Sequence, residues 1–252
     1  MAKKLEVGII GFGAFGRLVS LHLQKFAKIT AYDSSALLKA KAKSPGVVFS
    51  SLEAAASRKI VIFAVPISAF ENCARNAAKH VSPGALVLDT CSVKQLPAAA
   101  MERLLPKSCF IMGTHPLFGP QSARGGLGGL GIVLCPIRCT GMQLKKAKRV
   151  LKSLGLKVSV CTPEEHDRKI ARTQAMMHFM LKGWAGVLKN HVKEGQGEFA
   201  TSSFRQLCKA HSLIANDSTA LFTDMQKFNR FAKLERKKLI SGLIALDRRL
   251  RK

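Results

Sequence analysis

LEVGIIGFGAFG, residues 5–16, is the stretch on which the fold turns. Leu5 to Ile10 is a short apolar run with the character of a buried strand. The pattern G-x-G-x-x-G follows at once, from Gly11 to Gly16, and opens an amphipathic segment that runs from Ala14 to Phe26. In a strand, glycine loop, helix setting each glycine has a task. Gly11 permits the tight turn, Gly13 lets the backbone approach a pyrophosphate, and Gly16 allows the helix to pack closely on the strand. The helix opening, with Ala14 and Phe15, then offers unpaired N–H groups and a partial positive charge to phosphates. Asp33 ends the next apolar run, 17 residues after Gly16. A carboxylate there can accept hydrogen bonds from ribose hydroxyls and repels a 2′-phosphate, which favours NAD over NADP. Lys39, Lys41 and Lys43 lie just downstream and read as a solvated, lysine-rich helix.

Working outward, the first 162 residues alternate apolar runs with helix-length amphipathic ones. The runs ITAY (29–32), GVVF (46–49), IVIFAV (60–65), ALVLD (85–89), CFIMG (109–113), GIVLC (131–135) and LKVSVC (156–161) join LEVGII as predicted strands. Ser68 to Lys79, Val93 to Leu105 and Met142 to Leu154 are predicted helices between them. Such alternation implies a doubly wound, mainly parallel α/β sheet with both faces covered. Ala64, Val65 and Pro66, at the carboxyl end of the fourth strand, should form a second wall of the dinucleotide crevice. TPEEHD (162–167) supplies an N-cap, a proline in the first helical position and acidic residues in the opening turn. A helix should start there. Ile170, Gln174, His178, Leu181, Ala185 and Leu188 recur at three- and four-residue spacing, which places Gln174 and His178 on an apolar stripe. Further helices are expected over Phe204–Ala215, Ser218–Phe231 and Lys233–Leu250. The expected organisation is a dinucleotide-binding domain over 1–162 and an all-helical domain over 163–252. The glycine-rich GGLGGLG (125–131) reads as a mobile loop.

Composition bounds the possibilities. Of 252 residues, 47% are hydrophobic and 22% charged, an ordinary globular mixture. No apolar run approaches the roughly 18 residues that cross a bilayer, and none forms a signal-peptide core, so a cytoplasmic protein without a membrane partner is expected. The seven cysteines include no C-x-x-C pair and sit in or beside apolar runs, the pattern of buried free thiols rather than of metal ligands or disulfides. The outlier is a formal charge of +26. Residues 163–252 hold 18 of the 41 basic residues and 9 of the 15 acidic ones, so both halves are basic. Charge spread this evenly reads as a solvated surface that steers anions inward, and not as a nucleic-acid-binding patch.

Two further segments bear on chemistry. DTCSVK (89–94) closes the fifth predicted strand and GTHPLFGPQ (113–121) the sixth, so both should line the ligand crevice at the carboxyl ends of the sheet. Together with AVP (64–66), EEHD (164–167) and the Gln174/His178 pair, they resemble the prephenate/arogenate dehydrogenase family, from Val7 to about Phe231.

The resemblance implies oxidative decarboxylation. Prephenate would lose hydride from its hydroxyl-bearing carbon and then carbon dioxide, giving 4-hydroxyphenylpyruvate in tyrosine biosynthesis; arogenate, with an amine in place of the ketone, is the alternative substrate. His115 matches the family's catalytic histidine, where a neutral imidazole would accept a hydrogen bond from the ring hydroxyl. Ser92 matches the serine that orients this contact, and Lys94 would add positive charge beside the substrate. Without the resemblance, His115 reads as a turn residue before Pro116 and Ser92 as a helix N-cap. TSSFRQL (201–207) resembles the motif whose arginine grips a substrate carboxylate, and Arg205 is the match. Its guanidinium can pair both oxygens at once. His178 and Gln174 match positions that line the substrate pocket. The implied assembly is a homodimer joined through its helical domain, with a dianionic substrate held between domains. Gln121 departs from the acidic residue of many relatives. Four residues before the first strand and a close on RRLRK leave no room for a fused mutase or a tyrosine-sensing domain.

Overall fold

The structure is a computed structural model that describes residues 4–35, 46–188, 198–215 and 217–251. The lysine-rich helix expected around Lys39, Lys41 and Lys43 lies outside these described residues. The chain divides into two compact units, Met1–His166 and Asp167–Lys252.

The first unit is an eight-stranded sheet: β1 (Leu5–Ile10), β2 (Ala27–Tyr32), β3 (Val47–Phe49), β4 (Ile60–Phe63), β5 (Leu86–Asp89), β6 (Phe110–Pro116), β7 (Gly131–Arg138) and β8 (Lys157–Val160). Their spatial order is β3-β2-β1-β4-β5-β6-β7-β8. The chain therefore starts in the middle of the sheet, runs to one edge and crosses back, which opens a crevice between β1 and β4 at the carboxyl ends of the strands. Neighbouring pairs are parallel except β6 and β7, which are antiparallel with a register irregularity at Ile111/Met112. All eight predicted apolar runs form strands.

The connecting helices are α1 (Ala14–Leu23), α2 (Leu52–Ala56), α3 (Ile67–Ala78), α4 (Gln95–Leu104) and α5 (Gly141–Ser153). The five-residue α2 carries too few turns to show a period. Ser51 caps it, its hydroxyl accepting from Ala54 N–H. A full capping box holds the start of α5, with Thr140 and Gln143 satisfying each other's backbone N–H groups. Parallel strands covered on both sides lack polar alternation, and Ile9, Ile10, Val61, Phe63 and Val87 are all nearly inaccessible to solvent. One core cluster gathers Val7, Ile9, Phe12, Ala27, Ile29, Ala31 and Ile62 around β1 and β2. A second gathers Ala123, Leu127, Ile132 and Leu156.

That second cluster corrects the reading of GGLGGLG as a mobile loop. Leu127 is a buried anchor, and Gly129 N–H donates to Gly155 O at 2.9 Å. Gly126 and Gly129 have φ of +102° and +79°, so these glycines supply left-handed turns that seat one leucine in a core.

Among its described residues the second unit is built of helices joined by short turns. Helix α6 (Pro163–Ile170) starts as TPEEHD foretells: Thr162 Oγ1 accepts from Glu165 N–H at 3.2 Å. It passes through one π-helical turn, Ala171–Ala175, into α7 (Met176–Leu188). The π turn widens the spacing through which Ile170, Gln174 and His178 share a side. Helices α8 (Ser202–Ile214), α9 (Thr219–Phe228) and α10 (Ala232–Leu250) follow, the first two capped by Thr201 and Ser218. Gln226 and Asn229 are buried and fully used: Gln226 Nε2 donates to Ala175 O at 2.7 Å, and Asn229 Nδ2 donates to Asp167 O at 2.8 Å. Among the described residues no helix is long and apolar enough to cross a membrane.

Candidate active site

The glycine loop connects β1 to α1. Gly11 has φ of +95°, and a Cβ there would meet Ala64 O at 2.5 Å and Val65 Cγ1 at 2.8 Å. A Cβ on Gly16 would meet Gly11 O at 2.1 Å, so helix and loop touch without side chains between them. Gly13 differs, since a Cβ there would meet nothing within 4 Å. That open space faces the start of α1, whose N-cap is Gly13 itself with no side chain to satisfy the first-turn N–H groups. A phosphate finds both room and donors in such a place.

Beside it lies a cavity of about 410 Å³ lined by Gly11, Gly13, Asp33, Ala64, Val65 and Pro66. These six residues, separated by up to 55 positions in sequence, thus share one crevice as expected. Asp33 Oδ2 accepts from Phe12 N–H at 2.7 Å and Oδ1 from Ser35 N–H at 2.8 Å, which clamps the carboxylate against the loop. Each oxygen keeps acceptor capacity for a further hydroxyl donor. Phe15 points its ring toward Phe118, 6.3 Å between centroids. Asn72, Cys73 and Asn76, one side of α3, line the same cavity and were missed in sequence. Their 72/73/76 spacing marks a helix face but says nothing of which crevice that face meets. Burial and the nearby Asp33 carboxylate push the Cys73 thiol up to about 11. The glycine loop and Asp33 suit the phosphate and ribose parts of a dinucleotide.

Two strands away, β5 and β6 end side by side, with Asp89 opposite Gly113. A buried ion pair ties them together: Lys94 Nζ bonds to Asp89 Oδ2 and also donates to Thr114 O at 2.6 Å. Thr114 answers from the other side. Its N–H donates to Asp89 Oδ1 at 3.3 Å and its hydroxyl to Asp89 O. Lys94 is 0% exposed. The sequence reading of Lys94 as a substrate contact thus meets a side chain already committed to Asp89 and Thr114. It braces the strand end on which His115 sits, and Asp89, which had no assigned role, is its counter-charge.

His115 is buried at 3% exposure, inside β6 and not in a turn. Its Nδ1 lies 2.8 Å from His166 Nε2. Burial holds its pKa well below the ordinary 6.5, with His166 and the Lys94 ammonium adding to the effect. At neutral pH the ring is therefore uncharged and able to accept a proton. Ser92 leaves the adjoining strand end, and its Oγ is buried without a hydrogen-bond partner. The N-cap of α4 is Lys94, so Ser92 does not serve as that cap. An unsatisfied buried hydroxyl costs about 1–3 kcal/mol, a cost that a bound polar ligand would relieve.

In the second unit, His178 is buried on α7 and its Nδ1 stands 4.0 Å from Asp217 Oδ2. This is not an ion pair at neutral pH, because burial and Lys182 bring the imidazole down to about 4 while burial raises the Asp217 carboxyl. Gln174 Oε1 is buried and lacks a partner. Arg205 is exposed in the first turn of α8, its Nε donating to Ala200 O at 3.2 Å. Trp184 packs its ring edge-on against Phe204 and His211. No group of three or more metal-ligating side chains occurs among the described residues, and the seven cysteines are free thiols.

Residues 19–160, more than half of the chain, match the family model described as prephenate dehydrogenase, nucleotide-binding domain. The chain belongs to the prephenate dehydrogenase family. A second model, described as TYRAAT1-like, C-terminal domain, matches residues 191–252. Among curated relatives of this family member, a probable arogenate/prephenate dehydrogenase of Methanocaldococcus jannaschii is 32% identical over 74% of the chain and 43% of the relative. Arogenate dehydrogenase 2, chloroplastic, of Arabidopsis thaliana is 26% identical over 89% of the chain and 64% of the relative. The chain thus spans less than two thirds of the length of these relatives. The crystal structure of prephenate dehydrogenase from A. aeolicus in complex with hydroxyphenyl propionate and NAD+ superposes with a TM-score of 0.76 at 22% identity, covering 99% of this chain and 90% of that one. Synechocystis arogenate dehydrogenase gives 0.70 at 22% identity, over 98% and 93%. At such identity the likeness establishes the fold: a doubly wound dinucleotide-binding sheet followed by helices.

Proposed function

We propose that this chain is an NAD-dependent dehydrogenase that converts prephenate to 4-hydroxyphenylpyruvate by oxidative decarboxylation. The observation that carries the reading is an uncharged, buried imidazole, His115, at the same carboxyl edge of the sheet as the glycine cradle. The dinucleotide, when bound, supplies the hydride acceptor. Gly11 and Gly13 leave its pyrophosphate room at the α1 N-terminus. Asp33 receives its ribose hydroxyls and disfavours a 2′-phosphate, which supports NAD over NADP. His115 withdraws the proton of the ring hydroxyl as that carbon is oxidised, and Ser92 orients the same oxygen. From the helical unit, Arg205 is proposed to pair a substrate carboxylate and His178 and Gln174 to contact substrate. A homodimer is proposed as the working form, supported by apolar residues exposed along α10, among them Leu243, Ile244 and Leu246.

Arogenate is the second reading, supported by the names of the Arabidopsis relatives. Steady-state rates with prephenate and arogenate, each with NAD and with NADP, test both choices. Turnover of prephenate with NAD at the highest kcat/KM is expected. Preference for the amine would move the assignment to arogenate, and absence of reduced cofactor with either ring substrate would remove it.

A further inference from the structure

The contact between His115 and His166 goes unused in the mechanism above, although the two imidazoles share a hydrogen bond of 2.8 Å with rings inclined at 68°. They are 51 positions apart and exposed by 3% and 1%. A contact so enclosed is not exchanged for water. Between two neutral imidazoles only one nitrogen can bring the proton, so the pair has two arrangements. If His166 donates, His115 carries its own proton on Nε2 and has no lone pair to offer a hydroxyl. If His115 donates from Nδ1, its Nε2 is the free acceptor.

We propose that His166 is the positioning residue of the reacting imidazole: its Nε2 accepts the Nδ1–H of His115, fixes the tautomer with a bare Nε2, and takes on the proton that His115 receives. The step balances. The substrate O–H bond breaks as His115 Nε2–H forms, and His115 Nδ1–H breaks as His166 Nε2–H forms, leaving His115 neutral and His166 charged. Three groups set the direction. The Lys94 ammonium, from the β5–α4 connection, opposes a lasting positive charge on His115 and is itself paired with Asp89 of β5. On the neighbouring strand β7 the residue opposite His115 is Val133, which offers no counter-charge. Passing the proton to α6 moves the charge one side chain away from Lys94. A neutral imidazole in this place, instead of a carboxylate, also keeps His115 a weak base that stays unprotonated at neutral pH.

The inference rests on the dehydrogenase reading of His115, and its test separates the two. Long-range nitrogen–proton NMR of the whole chain labelled with ¹⁵N-histidine reads the tautomer without any turnover. Protonated Nδ1 and bare Nε2 on His115 are expected, and the reverse pattern would overturn the proposal even in an active enzyme. In kinetics, His166→Gln, whose amide oxygen can accept the Nδ1–H hydrogen bond but not the proton itself, should hold the tautomer yet lower kcat by about tenfold, while His166→Leu, which can do neither, should lower it by about 10²-fold with NAD affinity unchanged. His166→Asp, which stabilises the imidazolium, should move the acid limb of kcat upward by about one pH unit or more. Parent-like kcat in H166L, or an acid limb unmoved in H166D, would overturn it; the H166D arm stands even where H166L does not fold. A parent inactive on both ring substrates would remove the dehydrogenase reading and leave the tautomer result to decide the pairing alone.

Discussion

Two side chains carry most of the proposed chemistry, and they differ in setting, His115 being buried and Arg205 exposed. His115 sits two residues past the Asp89–Gly113 pair, held in β6 by its own strand and by the Lys94 bond to Thr114 O. His115→Ala removes the acceptor without touching the glycine cradle. We expect kcat to fall by about 10²- to 10⁴-fold while the Kd for NAD, followed by fluorescence titration, stays within about twofold. Turnover equal to the parent would take His115 out of the reaction. Arg205 is exposed, and its Nε donates to Ala200 O. Arg205→Ala should raise KM about tenfold or more with a smaller change in kcat, and Arg205→Lys should not restore it, because an ammonium cannot form two parallel bonds to one carboxylate. An unchanged KM would end that assignment. Both residues were legible as members of motifs. Ser92's unsatisfied hydroxyl was not, because an unmet hydrogen bond exists only once every neighbour is in place.

Among the elements, the β1–α1 loop and the β5–β6 pair make opposite demands. The loop needs absence. Gly11→Ala would place a Cβ 2.5 Å from Ala64 O at a φ of +95°, costing about 1–3 kcal/mol or more of stability. Gly13→Ala meets nothing in the protein, so its thermal midpoint should match the parent's while NAD binding weakens by about tenfold. Calorimetric titration beside thermal melts tells the two apart, and a G13A chain binding NAD normally would show that no phosphate approaches there. The β5–β6 pair needs completeness. Lys94→Met leaves the Asp89 carboxylate buried without its partner and should destabilise the fold by about 3–5 kcal/mol. Asp89→Asn with Lys94→Met should recover part of that. Denaturant unfolding reads both, and a K94M midpoint equal to the parent's would contradict the bracing role. The strands themselves were readable because burial on both faces writes continuous apolar runs. The short α2, the π turn and the seated Leu127 were not, since five residues hold no period and a glycine-rich string looks alike whether loose or packed.

For the whole molecule, acid response follows from two buried imidazoles. Burial and Lys182 lower His178 to about 4 from 6.5, and burial holds His115 well below its ordinary value. Both are proton acceptors more readily when unfolded, so their contribution to stability is complete above pH 6.5 and is lost as pH falls toward the folded values. Between pH 7 and 5 His178 should cost about 2 kcal/mol, and His115 acts in the same direction. Melts across that range should show the fall, and His178→Gln should lessen it; a flat profile would place water at these rings. The chain order of apolar runs, the glycine loop and the capped start at Thr162 were enough to dictate a doubly wound sheet followed by helices, since backbone periodicity and turn chemistry act over neighbouring residues. Which side chains meet was settled by folding alone. Lys94 turned inward to Asp89, and His166 came against His115, because those partnerships depend on strand register and burial between segments whose separation along the chain leaves no local trace.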